Sequence, residues 1–222
     1  MQNASCGGRD GGETVVSEYP IAHGPTPWNK GLLIGQKKPL QPKHVWSIHA
    51  RLELGNSPRD LALFNLAIDS KLRACDLVRL RVNDLCQAGR VRDRATVIQQ
   101  KTGRPVRFEI TEHTRLAVEH LMEQMPAGSL EYLFPGHSQQ RPHLSTRQYS
   151  RIVHHWVESI GLETTMYGTH TMRRTKAAQL YRKTGNLRAV QLLLGHTKLE
   201  STVRYLGIEV DDAIEMAEQL DL

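Results

Sequence analysis

Residues 192–207, LLLGHTKLESTVRYLG, decide how this chain is read. A short apolar helix from Asn186 to Leu194 runs out at Gly195, a residue type that takes the left-handed conformation on which many helices end. That ending fixes His196 at the helix exit. Residues 197–204 then cross a surface and bring Tyr205 back to the same place, nine residues after His196. A phenol has a pKa of about 10 and is a weak nucleophile until positive charge or a base assists it. On this stretch alone two readings of Tyr205 stay open: a half-buried anchor beside Leu206, or a reacting group. The choice depends on what the rest of the chain can bring to it.

Three other places offer suitable chemistry. In HTMRR, His170 and Arg173 stand three apart and share a helix face. Arginine presents a rigid fork of donors that matches phosphate oxygens, and histidine exchanges a proton near neutral pH. Arg174 and Lys176 beside them also fit a merely basic, solvated face. In SKLRACD, Arg73 lies between two helical patterns, with Asp76 spaced to orient it or simply to neutralise it. Lys101 opens the turn KTGR, where it is either a well-aimed point charge or an ordinary surface lysine.

The expected organisation is a flexible, Gly/Pro/Lys-rich arm over residues 1–41, a domain over 42–208 and a tail helix over 209–222. Pro42 is expected to start a helix with a buried stripe of Val45, Trp46 and Ile48. A second helix follows GNSPRD, with Ser57 as cap, Pro58 in the first position and Asp60 completing a capping box. Leu61, Phe64, Ala67 and Ile68 are its buried face. A third, short helix is predicted from about Asp76 to Leu80. The period then shifts to two, and ATVIQQ–KTGR–PVRFEI reads as a hairpin turning at Gly103. A helix carrying Leu116, Val118, Leu121 and Met122 ends near Pro126. Ser145 and Gln148 form a capping box ahead of Tyr149, Ile152, Val153, Trp156 and Ile160. Helices over 170–184 and 187–194 meet at Gly185-Asn186. The fold class is mainly α with a small antiparallel β-sheet.

A formal charge of +6 over 222 residues favours an anionic partner. Cys6, Cys75 and Cys86 are odd in number and widely spaced, which fits a reducing compartment and a cytoplasmic protein with no membrane segment. His137 and His143 lack the neighbouring acids or cysteines of a metal site, and His120 reads as structural. No phosphate-binding GxxxxGK[ST] loop is present.

Taken in order, Arg73, Lys101, His170-x-x-Arg173, Leu194-Gly195-His196 and Tyr205 resemble the catalytic domain of the tyrosine recombinases, the phage integrase family. The contexts KLRACDLVRLRVNDL, THTMRRTKAAQL and LLLGHTKLESTVRY carry the resemblance, which spans about residues 42–208. It implies the tyrosine-recombinase catalytic-domain fold and a site-specific recombinase or integrase acting on double-stranded DNA. Tyr205 would attack the scissile phosphate to give a 3′-phosphotyrosyl link. Arg73 and Arg173 would clamp the non-bridging oxygens, Lys101 would protonate the leaving 5′-oxygen, and His170 would move the tyrosine proton. His196 would hydrogen-bond the phosphate, and Asp76 would brace the first arginine. Neither a cofactor nor a metal is implied. Family members often pass the segment after the tyrosine to a neighbouring protomer, so a dimer or tetramer on DNA is expected. They usually also carry a separate N-terminal helical domain, whereas here about 41 residues precede the catalytic domain. The fimbrial phase-variation recombinases are similarly short. Salt-sensitive DNA binding, or help from an accessory protein, is the corresponding expectation. The other outcomes weighed are a DNA-binding regulator on this scaffold that does not cleave productively, and a nicking and closing enzyme without site preference.

Overall fold

The structure, a computed structural model, describes residues 36–126, 131–136 and 142–207. Most of the expected arm, His137 and the expected tail helix lie outside the described residues. The order of elements is α1 (Pro42–Leu54), α2 (Pro58–Ser70), α3 (Ala74–Leu77), α4 (Val82–Leu85), β1 (Cys86–Gln87), β2 (Arg90–Val91), β3 (Arg94–Ile98), β4 (Pro105–Glu109), α5 (Glu112–Glu123), α6 (Thr146–Ser159), α7 (Thr169–Thr184), α8 (Leu187–Leu194) and α9 (Leu199–Leu206).

Helix α2 is the centre of the core. Ala62, Leu63, Phe64, Leu66 and Ala67 are buried almost completely, so the helix is covered nearly all round by α1, α5 and α7 rather than along one stripe. Phe64 meets Trp156 of α6 edge to face at 5.4 Å, a geometry that adds to simple burial. The α6 reading holds in detail. The Ser145 hydroxyl accepts from the Gln148 amide at 3.1 Å and the Gln148 side chain accepts from the Ser145 amide at 3.3 Å, while Tyr149, Val153 and Trp156 are buried. At the α7–α8 joint, Gly185 is left-handed and Asn186 accepts from the Ala189 amide at 2.9 Å.

Elsewhere packing overrode pattern. Trp46 and Leu116, expected inside, are exposed, while Ile48 and Val118 are buried as expected and Ala117 is buried beside them. Ser57 does start α2 but its hydroxyl makes no capping bond; nor is the capping box closed, since the Ser57 amide donates to Leu52 O at 3.3 Å and Asp60 takes its neighbour Arg59 at 3.0 Å. The third helix begins and ends earlier than expected, at Ala74–Leu77. His120 stands on the surface beside Glu123. A second, two-residue hairpin, β1–β2, was not foreseen; Ala88 and Gly89 turn it with positive φ.

The expected hairpin is β3–β4, paired Arg94↔Glu109 through Ile98↔Pro105, with Gly103 at φ +63. A smaller apolar cluster of Ala177, Val190 and Leu194 joins α7, α8 and α9, and Leu180, Tyr181, Tyr205 and Leu206 pack on it. Residues 36–40 run along α7 and the turn before it. The Lys38 amide donates to Met166 O at 3.0 Å, the Leu40 amide donates to Thr175 Oγ1 at 3.0 Å, and Leu40 is buried.

Candidate active site

Residues 197–204, read as a surface crossing, are mostly helix α9. An apolar period along Leu199, Thr202, Val203 and Leu206 carries it, and a short helix brings Tyr205 back toward His196 as the crossing was expected to. The two rings meet edge to face with centroids 5.3 Å apart, and His196 Nδ1 shares a hydrogen bond with Thr202 Oγ1 at 3.1 Å. The Tyr205 ring packs on the small cluster as an anchor would, and its hydroxyl is buried without a hydrogen-bond partner, within the influence of Arg173, Arg174 and Arg73.

The arginines arrive from two directions. Arg173 on α7 is 3% exposed, and its Nη2 donates to Leu194 O at 2.7 Å, the carbonyl that ends α8. Its guanidinium carbon lies 5.7 Å from the Tyr205 ring centre, and that of Arg174 lies 5.4 Å away. Arg73, half-buried at the start of α3, donates from Nη1 to Gln99 Oε1 at 2.5 Å. Asp76 does not brace it. Its Oδ1 accepts from the Gln100 amide at 2.9 Å, and its Oδ2 is buried without a partner. His170 opens to the groove beside Tyr205, with Arg174 and His196 also lining an open space of about 620 Å³. Among the described residues, no hydrogen bond or ion pair joins Lys101 to this cluster. It stands exposed at the tip of the β3–β4 hairpin.

Sequence reasoning missed Gln99 and undervalued Arg174. Gln99 is fully buried at the base of the hairpin; besides Arg73 it holds Thr102 Oγ1 at 3.0 Å and reaches Leu194 O at 3.4 Å. Its neighbours Ile98 and Gln100 are exposed, so the alternation of the strand was the available signal. Arg174 donates to Lys37 O at 2.7 Å while facing the tyrosine ring. Gly195 at φ +65 is required twice over, since a Cβ there would stand 2.6 Å from Val106 Cγ2.

Electrostatically the site is strongly cationic. Burial first, then Arg173 and Arg73, push His196 down to about 4. Burial together with Arg173, Arg174 and Arg73 holds His170 below the ordinary imidazole range. Burial raises the Tyr205 phenol, opposed by Arg173, Arg174 and Arg73. At neutral pH both imidazoles are uncharged and able to take a proton, and the phenol keeps its own. Several donors have no acceptor: Arg173 Nε and Nη1, Arg174 Nε, and the Tyr205 hydroxyl, which Arg173 approaches without a well-formed hydrogen bond. Buried donors of this kind cost roughly 1–3 kcal/mol each when left unpaired, more when charged. Their convergence suits an anion with several oxygens, such as a phosphodiester.

Residues 38–210 match the phage integrase family. The probable integrase/recombinase YoeC of Bacillus subtilis (strain 168) is 30% identical over 158 residues, which are 71% of this chain and 82% of YoeC. The tyrosine recombinase XerC of Neisseria gonorrhoeae (strain ATCC 700825 / FA 1090) is 31% identical over 192 residues, covering 79% of this chain and 59% of that protein. Among solved structures, the XerA recombinase superposes with a TM-score of 0.67 at 19% identity, over 83% of this chain and 65% of XerA. The XerH site-specific recombinase bound to a palindromic difH substrate, in a post-cleavage complex, gives 0.64 at 19% identity over 82% of this chain and 53% of XerH. At those identities the likeness is one of fold. The chain spans most of YoeC but under two thirds of XerC, XerA and XerH. Among the described residues, no helix is long and apolar enough to cross a membrane.

Proposed function

This chain belongs to the phage integrase family, and from that premise we propose that it is a tyrosine-type site-specific DNA recombinase working through a 3′-phosphotyrosyl intermediate. The observation that supports this reading best is the convergence of Arg73, Arg173, His170 and His196 on the hydroxyl end of Tyr205, beside an open groove. In the proposed step the Tyr205 oxygen attacks phosphorus, the bond from phosphorus to the 5′-oxygen breaks, and the new ester links the protein to the 3′ end. His170, neutral at rest, takes the phenol proton. Arg73 and Arg173 donate to the non-bridging oxygens, whose charge grows in the transition state. Lys101, exposed at the hairpin tip, supplies the proton to the departing 5′-oxygen. Because one phosphodiester replaces another, the exchange needs no external energy source.

The domain boundaries at 42 and 208 and self-association on DNA belong to the same proposal. The experiment uses nicked duplexes tiled across the DNA flanking the gene, incubated with the full chain at low salt in EDTA, then denatured and scored for a protein–DNA adduct. An adduct with wild type and none with Tyr205→Phe is the expected result. DNA binding without any adduct, at every salt concentration tried, would overturn the reading in favour of a non-cleaving regulator.

A further inference from the structure

Behind the arginines lies a partly buried ionic network that the proposed reaction does not use: Asp69 and Lys71 are inside, while the Lys176 and Glu109 side chains are 29% and 41% exposed. Lys176 Nζ sits 2.6 Å from Asp69 Oδ1 and 2.6 Å from Glu109 Oε1. Lys71, 1% exposed, donates from Nζ to both Glu109 carboxylate oxygens at 3.3 Å and to its near neighbour Asp69 O at 2.6 Å. The second Asp69 oxygen is filled by the Thr111 amide at 3.0 Å and by the hydroxyls of Thr111 and Thr114 at 2.7 and 2.6 Å. Two acids and two lysines balance, and nearly every lone pair is occupied. That is the condition under which a buried charge group holds together rather than merely costing desolvation.

The placement matters more than the count. Lys71 is the left-handed residue, φ +54, that turns the chain out of α2, two positions before Arg73. Lys176 stands three positions after Arg173, on α7. Glu109 ends β4, the strand paired with β3, which leads into Gln99 and the Arg73 hydrogen bond. One network therefore grips the segment carrying each arginine and ties both to the hairpin.

We propose that Asp69, Lys71, Glu109 and Lys176 are the positioning residues that set Arg73 and Arg173 in register with one another. The proposal rests on the reading of those two arginines as the phosphate clamp. A clamp divided between two chain segments needs such a brace, since a displacement of about 1 Å in a reacting geometry can lower a rate by roughly a hundredfold.

The test uses the charge-balanced pair Asp69→Asn with Lys176→Met, because removing either charge alone strands its partner and risks unfolding. The carboxamide introduced by Asp69→Asn keeps an oxygen for the threonines, and the Lys71–Glu109 pair remains. The expected outcome is a folded protein that binds DNA like wild type and forms the Tyr205 adduct some 10- to 100-fold more slowly, as a roughly 1 Å loss of register implies. On a duplex whose scissile phosphate is a neutral methylphosphonate, the demand for two aligned arginines falls, and the gap should shrink to a few-fold. A merely structural weakening would slow both substrates alike. Arginine Nε–Hε NMR signals of Arg73 and Arg173, assigned through Arg→Lys variants, give a reading independent of cleavage. They should shift and exchange faster in the double variant. Unchanged arginine signals, wild-type cleavage, or an equal defect on both substrates overturns the proposal. If wild type itself forms no adduct, the functional reading fails, and the NMR comparison still decides whether the network positions the arginines.

Discussion

Replacing Gly195 with alanine tests the joint on which the whole site hangs. Gly195 ends α8 at φ +65, and the carbonyl just before it, Leu194 O, accepts from both Arg173 and Gln99. An L-residue held in the left-handed region costs roughly 1–2 kcal/mol. The new methyl would lie 2.6 Å from Val106 Cγ2, whereas unstrained carbon contacts begin at about 3.5 Å. Val106 is 2% exposed, so α8 and β4 have to part by about 1 Å, an overpacking of roughly 1–3 kcal/mol. The expected loss in urea unfolding is therefore about 2–5 kcal/mol, with the slope unchanged. A double-mutant cycle with Val106→Ala separates the two contributions: removing the clashing methyl should give a favourable coupling of about 1–3 kcal/mol and leave the backbone cost standing. Adduct formation under conditions where the variant is folded should fall further, because parting the elements pulls Leu194 O from Arg173. A Gly195→Ala protein within about 0.5 kcal/mol of wild type, or one showing no coupling to Val106, would falsify this account of the joint.

Gln99→Leu keeps the shape but leaves Arg73 without its acceptor; a hydrogen bond to a charged group is worth about 1.5–3 kcal/mol, so adduct formation should drop by roughly ten- to a hundredfold with little change in DNA affinity, measured in single turnover. Arg174→Met removes a cation facing the Tyr205 ring and one of the influences lowering its phenol; the cleavage rate should fall several-fold and recover partly as pH is raised. Lys101→Ala should stop cleavage of ordinary DNA yet spare a substrate with sulfur in place of the bridging 5′-oxygen, since a thiolate departs without a proton; equal loss on both would remove Lys101 from the leaving-group role. By NMR, His170 and His196 should titrate below the ordinary imidazole range, His196 near 4, and Arg73→Gln should move both upward. The linked stability has a definite sign. A histidine lowered by folding binds its proton more readily when unfolded, so its share of stability is complete above about pH 6.5 and is lost as pH falls toward 4. A melting temperature flat across that window, in a variant whose other titrating groups are unchanged, would contradict the assignment.

The parts of this fold legible in the sequence are those governed by local chemistry. Ser145 with Gln148, Gly185 with Asn186, and Gly103 each satisfy backbone groups within a few residues, so spelling alone determines them. The ordered set from Arg73 to Tyr205 was legible for a different reason: each member needs a particular functional group at a particular place along the chain. What escaped was decided at long range. Whether Trp46 faces in or out depends on α5, whose His113 ring meets it at 6.4 Å although the two stand 67 positions apart in the chain (113 − 46). Asp76 was assigned to the nearest arginine in sequence, but a backbone amide from the hairpin reached it first. Gln99 is chemically plain, and only its burial between two arginine-bearing segments gives it a role. Lys176, read as one more charge on a solvated face, is turned inward to two carboxylates by the packing of α7 on α2.

That inward turn bears on how the site can hold so much positive charge. Burial disfavours the charge of Arg173 and a protonated His170 most, Arg73 adds to the first, and Arg173, Arg174 and Arg73 add to the second. The structure resolves the conflict by keeping His170 and His196 neutral, anchoring Arg173 and Arg73 on Leu194 O and Gln99, and placing the acids Asp69 and Glu109 behind them rather than among them. Among the described residues no carboxylate hydrogen-bonds these three arginines, so their donors keep their capacity for an incoming anion. On the proposed reaction, a phosphate seated between the arginines would offset the field that lowers His170. The imidazole would then become a better proton acceptor only when substrate is present, and the phenol would lose its proton only where phosphorus is in reach. An upward shift of the His170 titration on adding DNA to Tyr205→Phe is the consequence, and a His170 pKa indifferent to DNA would leave the tyrosine without its base.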